Sequence, residues 1–300
     1  MKKIENLVFT LILMGIVLLV YFNIDEISTF FSNYLLSQRK VILKDTNIYK
    51  RDFNYITFNT NEDFVPYTKE EIKNIYFNIL NNGWDTFTFY CPKEYNECLN
   101  DVEMLGNDEE LMSKINDYVH PFNSFSEINT LISSNGEIIV NTSFKYTNDK
   151  IGKINEIVNE QYENLDLKNK KAIDQISLVH NYIINNVEYD EDAAEKKYSP
   201  YDSTSSYGAL VEGHAICSGY ADAMAIFLDK LNIPNIKVSS GNHVWNLVFI
   251  DNKWLHIDLT WDDVEIDRYK NNYFLITTEK LMQQDTAEHN FDKTFFKEAV

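Results

Sequence analysis

A chain of 300 residues, 44% hydrophobic and 14% aromatic, can bury a substantial core, which excludes an intrinsically disordered protein. A formal net charge of -19 excludes binding to phosphate backbones by bulk electrostatics, so no nucleic acid is expected as a partner. No internal repeat is found.

In chain order, residues 7–24 carry no charged side chain, with Lys2 and Lys3 before them and Asp25 and Glu26 after. That length suits a membrane span, and the stretch lacks the small-residue cleavage pattern of a signal peptide. Lysines on the short amino-terminal side place that end in the cytoplasm. The expectation is a signal anchor and transmembrane helix over residues 1–25, single-pass in the cell membrane with the body extracytoplasmic. A cleaved signal peptide is the alternative, and it too exports the body. Residues 26–50 read as a stalk.

Residues 51–147 read as a small α+β module of unknown role. Residues 54–59 predict a strand, and Thr68 starts a helix with Glu70 and Glu71 in its first turn. The run from Thr86 to Tyr90 is β-branched and aromatic, a second strand. A helix follows over 108–119, then a hairpin of 128–132 with 137–144 across Ser133-Ser134-Asn135-Gly136. His120 has no nucleophile or second ligand nearby and is assigned a structural role. Of the three cysteines, Cys91 and Cys98 can pair in an oxidising compartment or stay apart, since spacing alone does not bring two Cβ atoms together. No His or further Cys is at hand to make them a metal site.

A second unit spans 148–300. Ile151, Ile154, Val158, Tyr162 and Leu165 mark one helix; Ile173, Ile176, Val179, Ile183 and Ile184 mark another. An acidic loop over 190–206 leads to Cys217, the first residue of an apolar helix marked by Tyr220, Met224, Phe227, Leu228 and Leu231 and stopped by Asn232 and Pro234. A thiol there gains from the positive end of the helix dipole. The acidic runs 190–192 and 262–267 lack the glycine and spacing of a calcium loop and are expected to be solvated.

Residues 243–250 predict a strand, Asp251-Asn252 a two-residue turn, and 253–261 the returning strand. Ile250 then faces Lys253 and His243 faces Thr260, so Asp258 is a diagonal neighbour of His243, roughly 7 Å away at Cα and on the same face. In that placement His243 takes the proton of Cys217, and Asp258 fixes the tautomer and supports the imidazolium. The predicted catalytic residues are Cys217, His243 and Asp258, with no cofactor and no metal.

Cys217-Ser218-Gly219-Tyr220-Ala221, Gly241-Asn242-His243-Val244-Trp245-Asn246 and the run from Trp254 to Asp262, with Tyr189-Asp190 after a helix, resemble the core of the transglutaminase-like superfamily. The resemblance covers residues 172–277. It implies an α+β, papain-like transglutaminase core with a Cys-His-Asp triad on Cys217, His243 and Asp258, attacking peptide or protein amides through a thioester. Members include cross-linking enzymes, peptidases, amidases and inactive relatives, so hydrolysis and transamidation stay open. The tryptophan that helps hold the oxyanion upstream of the nucleophile in the family's animal cross-linking enzymes has no counterpart between Trp84 and Trp245. The Cys217 amide is expected as one oxyanion donor, with Tyr207 a weak candidate for the second. The expected partner is a peptide or protein, with the cell envelope one source of it. The competing reading is a non-catalytic exported module that binds cell-wall peptide or a partner protein.

Overall fold

The computed structural model describes residues 2–24, 26–27, 40–264 and 271–300, with the side chains of 2–7 excluded. Residues 1–42 and 43–300 are separate units. In the first, α1 (Lys2–Phe22) follows the uncharged stretch. Among the described residues no helix is long and apolar enough to cross a membrane. Leu7, where the expected span begins, has no described side chain, and residues 28–39 of the expected stalk lie outside the described residues.

In the second unit the expected strand over 54–59 is absent. Tyr55 and Phe58 are spaced for a turn rather than for alternation, and a turn closed by Tyr55 N–H on Phe58 O (2.8 Å) buries both rings. Thr68 caps α2 (Lys69–Asn81) by accepting from Glu71 N. Strand β1 (Thr86–Tyr90) follows as expected. A helix missed in the sequence, α3 (Cys98–Gly106), precedes α4 (Glu109–Asn116), whose cap is Asp108. Cys91 and Cys98 form a disulfide with Cα atoms 5.8 Å apart. Strands β2 (Phe125–Ile132) and β3 (Glu137–Phe144) pair across the Asn135-Gly136 turn, and β3 lies between β1 and β2 in an antiparallel sheet.

Helices α5 (Asn148–Asn164) and α6 (Ala172–Asn186) follow the predicted periodicity. The two-residue strands β4 (Glu188–Tyr189) and β5 (His214–Ala215) pair in parallel, with α7 (Glu191–Ala194) between them in sequence. The central helix α8 (Cys217–Lys230) is buried from Gly219 to Leu228. It packs on an antiparallel sheet of β6 (Asn235–Ser239), β7 (Val244–Ile250) and β8 (Lys253–Ile257), with β7 in the middle. Asp251 and Asn252 take φ of 50° and 63°, as a turn between right-twisted strands requires, and Ile250 faces Lys253. The returning strand is shorter than expected: it stops at Ile257, and α9 (Leu259–Asp262) begins behind Asp258. A later helix, α10 (Thr278–Gln284), leads to the carboxy-terminal segment.

Segments on both sides of residue 148 share the interior of this unit. Arg51 Nη2 donates to Asp229 Oδ2 at 2.7 Å, and Tyr118 OH donates to Glu298 Oε2 at 2.7 Å. The sheet is fixed to α8 by two polar contacts. Asn246 Nδ2 donates to Ala221 O (2.9 Å), and the buried Lys237 donates to Asp222 Oδ1 (2.8 Å). Asp222 also accepts from Lys145 and Tyr146.

Candidate active site

Cys217 opens α8, half-buried, and is the free cysteine of the chain. Its turn is shaped by the preceding loop. Ile216 N–H donates to Ser203 O at 2.9 Å, and Ser218 Oγ donates to Thr204 O at 2.9 Å. Gly219 admits this approach, because a Cβ there would meet Ser203 O at 2.7 Å, Ala215 Cβ at 2.8 Å and Ser205 O at 2.9 Å. The loop itself is gathered by Asp190, whose carboxylate caps α7 through Ala193 N–H and accepts from the hydroxyls of Ser199 and Ser203. The expectation of a solvated Asp190 is corrected: it is buried because Ala193, Ser199 and Ser203 turn back to saturate its carboxylate. The Cys217 and Ser218 N–H groups point into no acceptor among the described residues, while Gly219 and Tyr220 donate to Ile216 O.

His243 lies one residue before β7, buried, with its ring stacked 5.6 Å from Trp245. Its Nε2 is 2.5 Å from Asp258 Oδ2. Burial alone would lower its pKa, but the charge and hydrogen bond of Asp258, with a hydrogen bond to the Cys217 sulfur, push it up to about 10. His243 thus stands between the carboxylate and the sulfur, Nε2 toward the former, and both neighbours favour its charged form. Cys217, His243 and Asp258 lie together here, His243 hydrogen-bonded to both of the others.

Asp258 does more than its strand position suggested. Its Oδ1 accepts from the backbone N–H of Thr260 (3.0 Å) and Trp261 (3.3 Å), so the residue is the N-cap of α9. This is why the ladder ends at Ile257: the cap turns the chain and aims Oδ2 at His243. Burial would raise the Asp258 pKa, yet the charge and hydrogen bond of His243, together with the hydrogen bond and charge of His289, hold it down at about 2.

Sequence reasoning missed His289. It is fully buried and reaches the same oxygen, Nε2 to Asp258 Oδ2 at 2.9 Å. The spacing of Asp285 and His289, one helical turn apart, was the available signal. His243, Asp258 and His289 bring three potential ligand atoms within 4.8 Å of one another. Each is engaged in the hydrogen bonds just described, and the cluster is assigned to them rather than to a metal.

The second expected oxyanion donor is corrected. Tyr207 OH accepts from Lys153 Nζ at 3.2 Å and its ring is faced by Lys150 and Lys153, because the ring turns toward α5. Tyr189 lies closer to the chemistry: it pairs with Ala215, two residues before the nucleophile. Asp262, expected to be solvated, is buried; its Oδ2 lies 3.1 Å from His180 Nε2 and its Oδ1 accepts from Tyr273 N–H at 2.8 Å. Part of that acidic run, 265–267, lies outside the described residues. His120 accepts from Phe122 N–H through Nδ1, and burial lowers its pKa to about 4, so it is neutral. Trp245 donates to His256 Nδ1 (2.9 Å) in the core. A cavity of about 590 Å³ lined by Arg51, His120 and Asp229 lies at the far end of α8 and contains no triad residue.

Residues 159–259 match the family model of the transglutaminase-like superfamily. This segment is similar to a transglutaminase-like domain. All three predicted site residues fall inside the domain, whereas Asp285 and His289 lie beyond the matched residues. Among solved structures, one described as a TGase is 15% identical with a TM-score of 0.36, covering 48% of this chain and 46% of that one. A candidate cysteine protease from Cytophaga hutchinsonii is 14% identical with a TM-score of 0.28, covering 45% of this chain and 61% of that one. The chain therefore spans less than two thirds of either. No curated protein matches it.

Proposed function

We propose that the transglutaminase-like domain is a cysteine acyl-transfer enzyme acting on peptide or protein amides, with Cys217 as nucleophile, His243 as acid and base, and Asp258 as the group that orients His243. The observation that carries this reading is the 2.5 Å contact of His243 Nε2 with a carboxylate oxygen, which leaves Nδ1 for the sulfur at the start of α8. An imidazolium beside the sulfur and the positive end of a helix dipole both favour the thiolate.

The chemistry follows from that placement. The Cys217 thiolate attacks the amide carbonyl carbon, forming a C–S bond, and the carbonyl oxygen gains negative charge beside the free Cys217 N–H. His243 Nδ1–H protonates the departing nitrogen, the C–N bond breaks, and a thioester remains on Cys217. Water or an amine then attacks the thioester, His243 takes up its proton, and the thiolate is released. In this papain-like arrangement Asp258 keeps its charge throughout.

The uncharged run within α1, with Lys2 and Lys3 before it, supports a signal anchor with the domain outside the cytoplasm, and the Cys91–Cys98 disulfide suits an oxidising compartment. Peptide of the cell envelope is the substrate class this location favours.

The test is labelling of the full-length chain with a thiol-reactive probe from pH 5 to 8, comparing wild type with Cys217→Ala and His243→Ala. Labelling is expected to persist into mild acid in wild type, to fall in His243→Ala and to vanish in Cys217→Ala. Equal labelling of wild type and His243→Ala removes the enzyme reading in favour of a binding module. Mass spectrometry of a thioester trapped on Cys217 after incubation with envelope extract identifies the acyl group.

A further inference from the structure

Three residues account for the proposed chemistry and leave a buried histidine on the same carboxylate without a role. His289 Nε2 lies 2.9 Å from Asp258 Oδ2, and its Nδ1 lies 2.8 Å from Asp285 Oδ2. Both carboxylates are committed acceptors. Asp258 takes the amides of Thr260 and Trp261, and Asp285 takes those of Ala287, Glu288 and His289 at 3.1, 2.9 and 3.1 Å. Burial would raise the pKa of Asp285, but the hydrogen bond from His289 and these three amides lower it. Two carboxylates so loaded are ionised. A neutral imidazole has one N–H and one lone pair, so it would turn that lone pair on one of the two anions; only a ring with hydrogen on both nitrogens satisfies both. The Tyr273 ring stacks on it at 5.2 Å and 14°, a face on which a cation is favoured.

We infer that His289 is a positioning residue of this site, a doubly protonated ring through which Asp285 grips Asp258 and which sets the charge that Asp258 presents to His243. The inference rests on the triad reading above. It has a steric and an electrostatic part. With Oδ1 on two amides and Oδ2 shared by two rings, the Asp258 carboxylate cannot turn, so His243 keeps Nε2 inward and Nδ1 toward Cys217. The His243 and His289 rings, 5.3 Å apart and nearly perpendicular, draw on one anion. The positive charge of His289 therefore limits how strongly Asp258 holds the proton of His243.

The other ionisable groups around the ring are few. Glu288 is its neighbour in sequence and accepts from Trp261 Nε1. His256, on β8, is neutral, its pKa lowered to about 3 by burial and by His289. Tyr273 has its pKa pushed up to about 12 by burial and stays uncharged. Asp262, at the end of α9, faces His180.

The experiment is NMR of the full-length chain with ¹⁵N-labelled histidine at neutral pH, with the pH titration of His243 and alkylation of Cys217 by iodoacetamide followed in parallel. Wild type is expected to show hydrogen on both nitrogens of His289; one bare nitrogen overturns the inference. In Asp285→Asn the ring loses its outer anion and Nδ1 is expected to lose its hydrogen; a ring unchanged from wild type overturns it. In His289→Gln the deprotonation of His243 is expected to move up by about one to two pH units, from one charge removed at this distance. A folded His289→Gln with the wild-type His243 titration and His243-dependent alkylation overturns this inference alone, whereas alkylation indifferent to His243 in wild type overturns the triad on which it rests.

Discussion

Gly219→Ala tests whether the loop before α8 holds the nucleophile in place. The added methyl carbon would sit 2.7 and 2.9 Å from two backbone oxygens and 2.8 Å from the Ala215 methyl, all closer than carbon contacts allow. None is the loose end of a long side chain, so either the loop or the first turn of α8 must move. Overpacking of this kind costs about 1–3 kcal/mol, against about 1 kcal/mol gained by replacing glycine in a helix. A net loss of up to about 2 kcal/mol is expected, read as a lower denaturation midpoint with unchanged slope. Because the moving turn carries Cys217, thiol labelling at pH 7 should slow by about 10- to 100-fold, the penalty for a shift on the order of 1 Å in a reacting group. Gly152→Ala, on α5 with nothing within 4 Å of the new carbon, is the control and should be neutral or stabilising. A Gly219→Ala chain with wild-type stability and labelling refutes the reasoning.

Other substitutions and pH changes follow from the same geometry. Asp258→Asn places an amide N–H toward ring N–H donors and leaves buried donors unmatched; a loss of about 3 kcal/mol in urea denaturation and loss of mild-acid labelling are expected. Lys237→Ala strips a buried partner from Asp222 and should cost about 3–5 kcal/mol by the same assay. The Asp258 pKa is depressed to about 2 in the fold, so its contribution is present above the unfolded value near 3.8 and is lost as pH falls toward 2; the melting temperature should drop through that window in wild type and less so in Asp258→Asn. Reducing Cys91–Cys98, which closes a loop of sequence separation 7, should cost about 2.5 kcal/mol without changing Cys217 labelling.

The β7–β8 hairpin was legible because Asp251-Asn252 admits positive φ and two residues fix the register, and the face of Asp258 follows from that register. That Asp258 caps a helix was not legible, since β propensity carried the strand reading on to Trp261. Cys217 at a helix start was read from the apolar spacing behind it. His289 escaped because it lies 31 residues beyond Asp258 in a polar segment without periodicity, and its contact depends on the path of the intervening chain. The Cys91–Cys98 pair could not be decided from spacing, because an unforeseen helix, α3, starts at Cys98 and sets the distance. In the loop around Asp190, abundant acids and serines suggested solvent; their mutual hydrogen bonding is a tertiary outcome.

With two of its three cysteines tied to each other, the folded chain offers a single thiol to its surroundings, and that thiol is the proposed nucleophile. Titrating sulfhydryls without denaturant thus counts competent centres one by one. By the same logic, any oxidant or disulfide partner that captures this protein would silence it, and a reductant too mild to open the closed pair would bring it back.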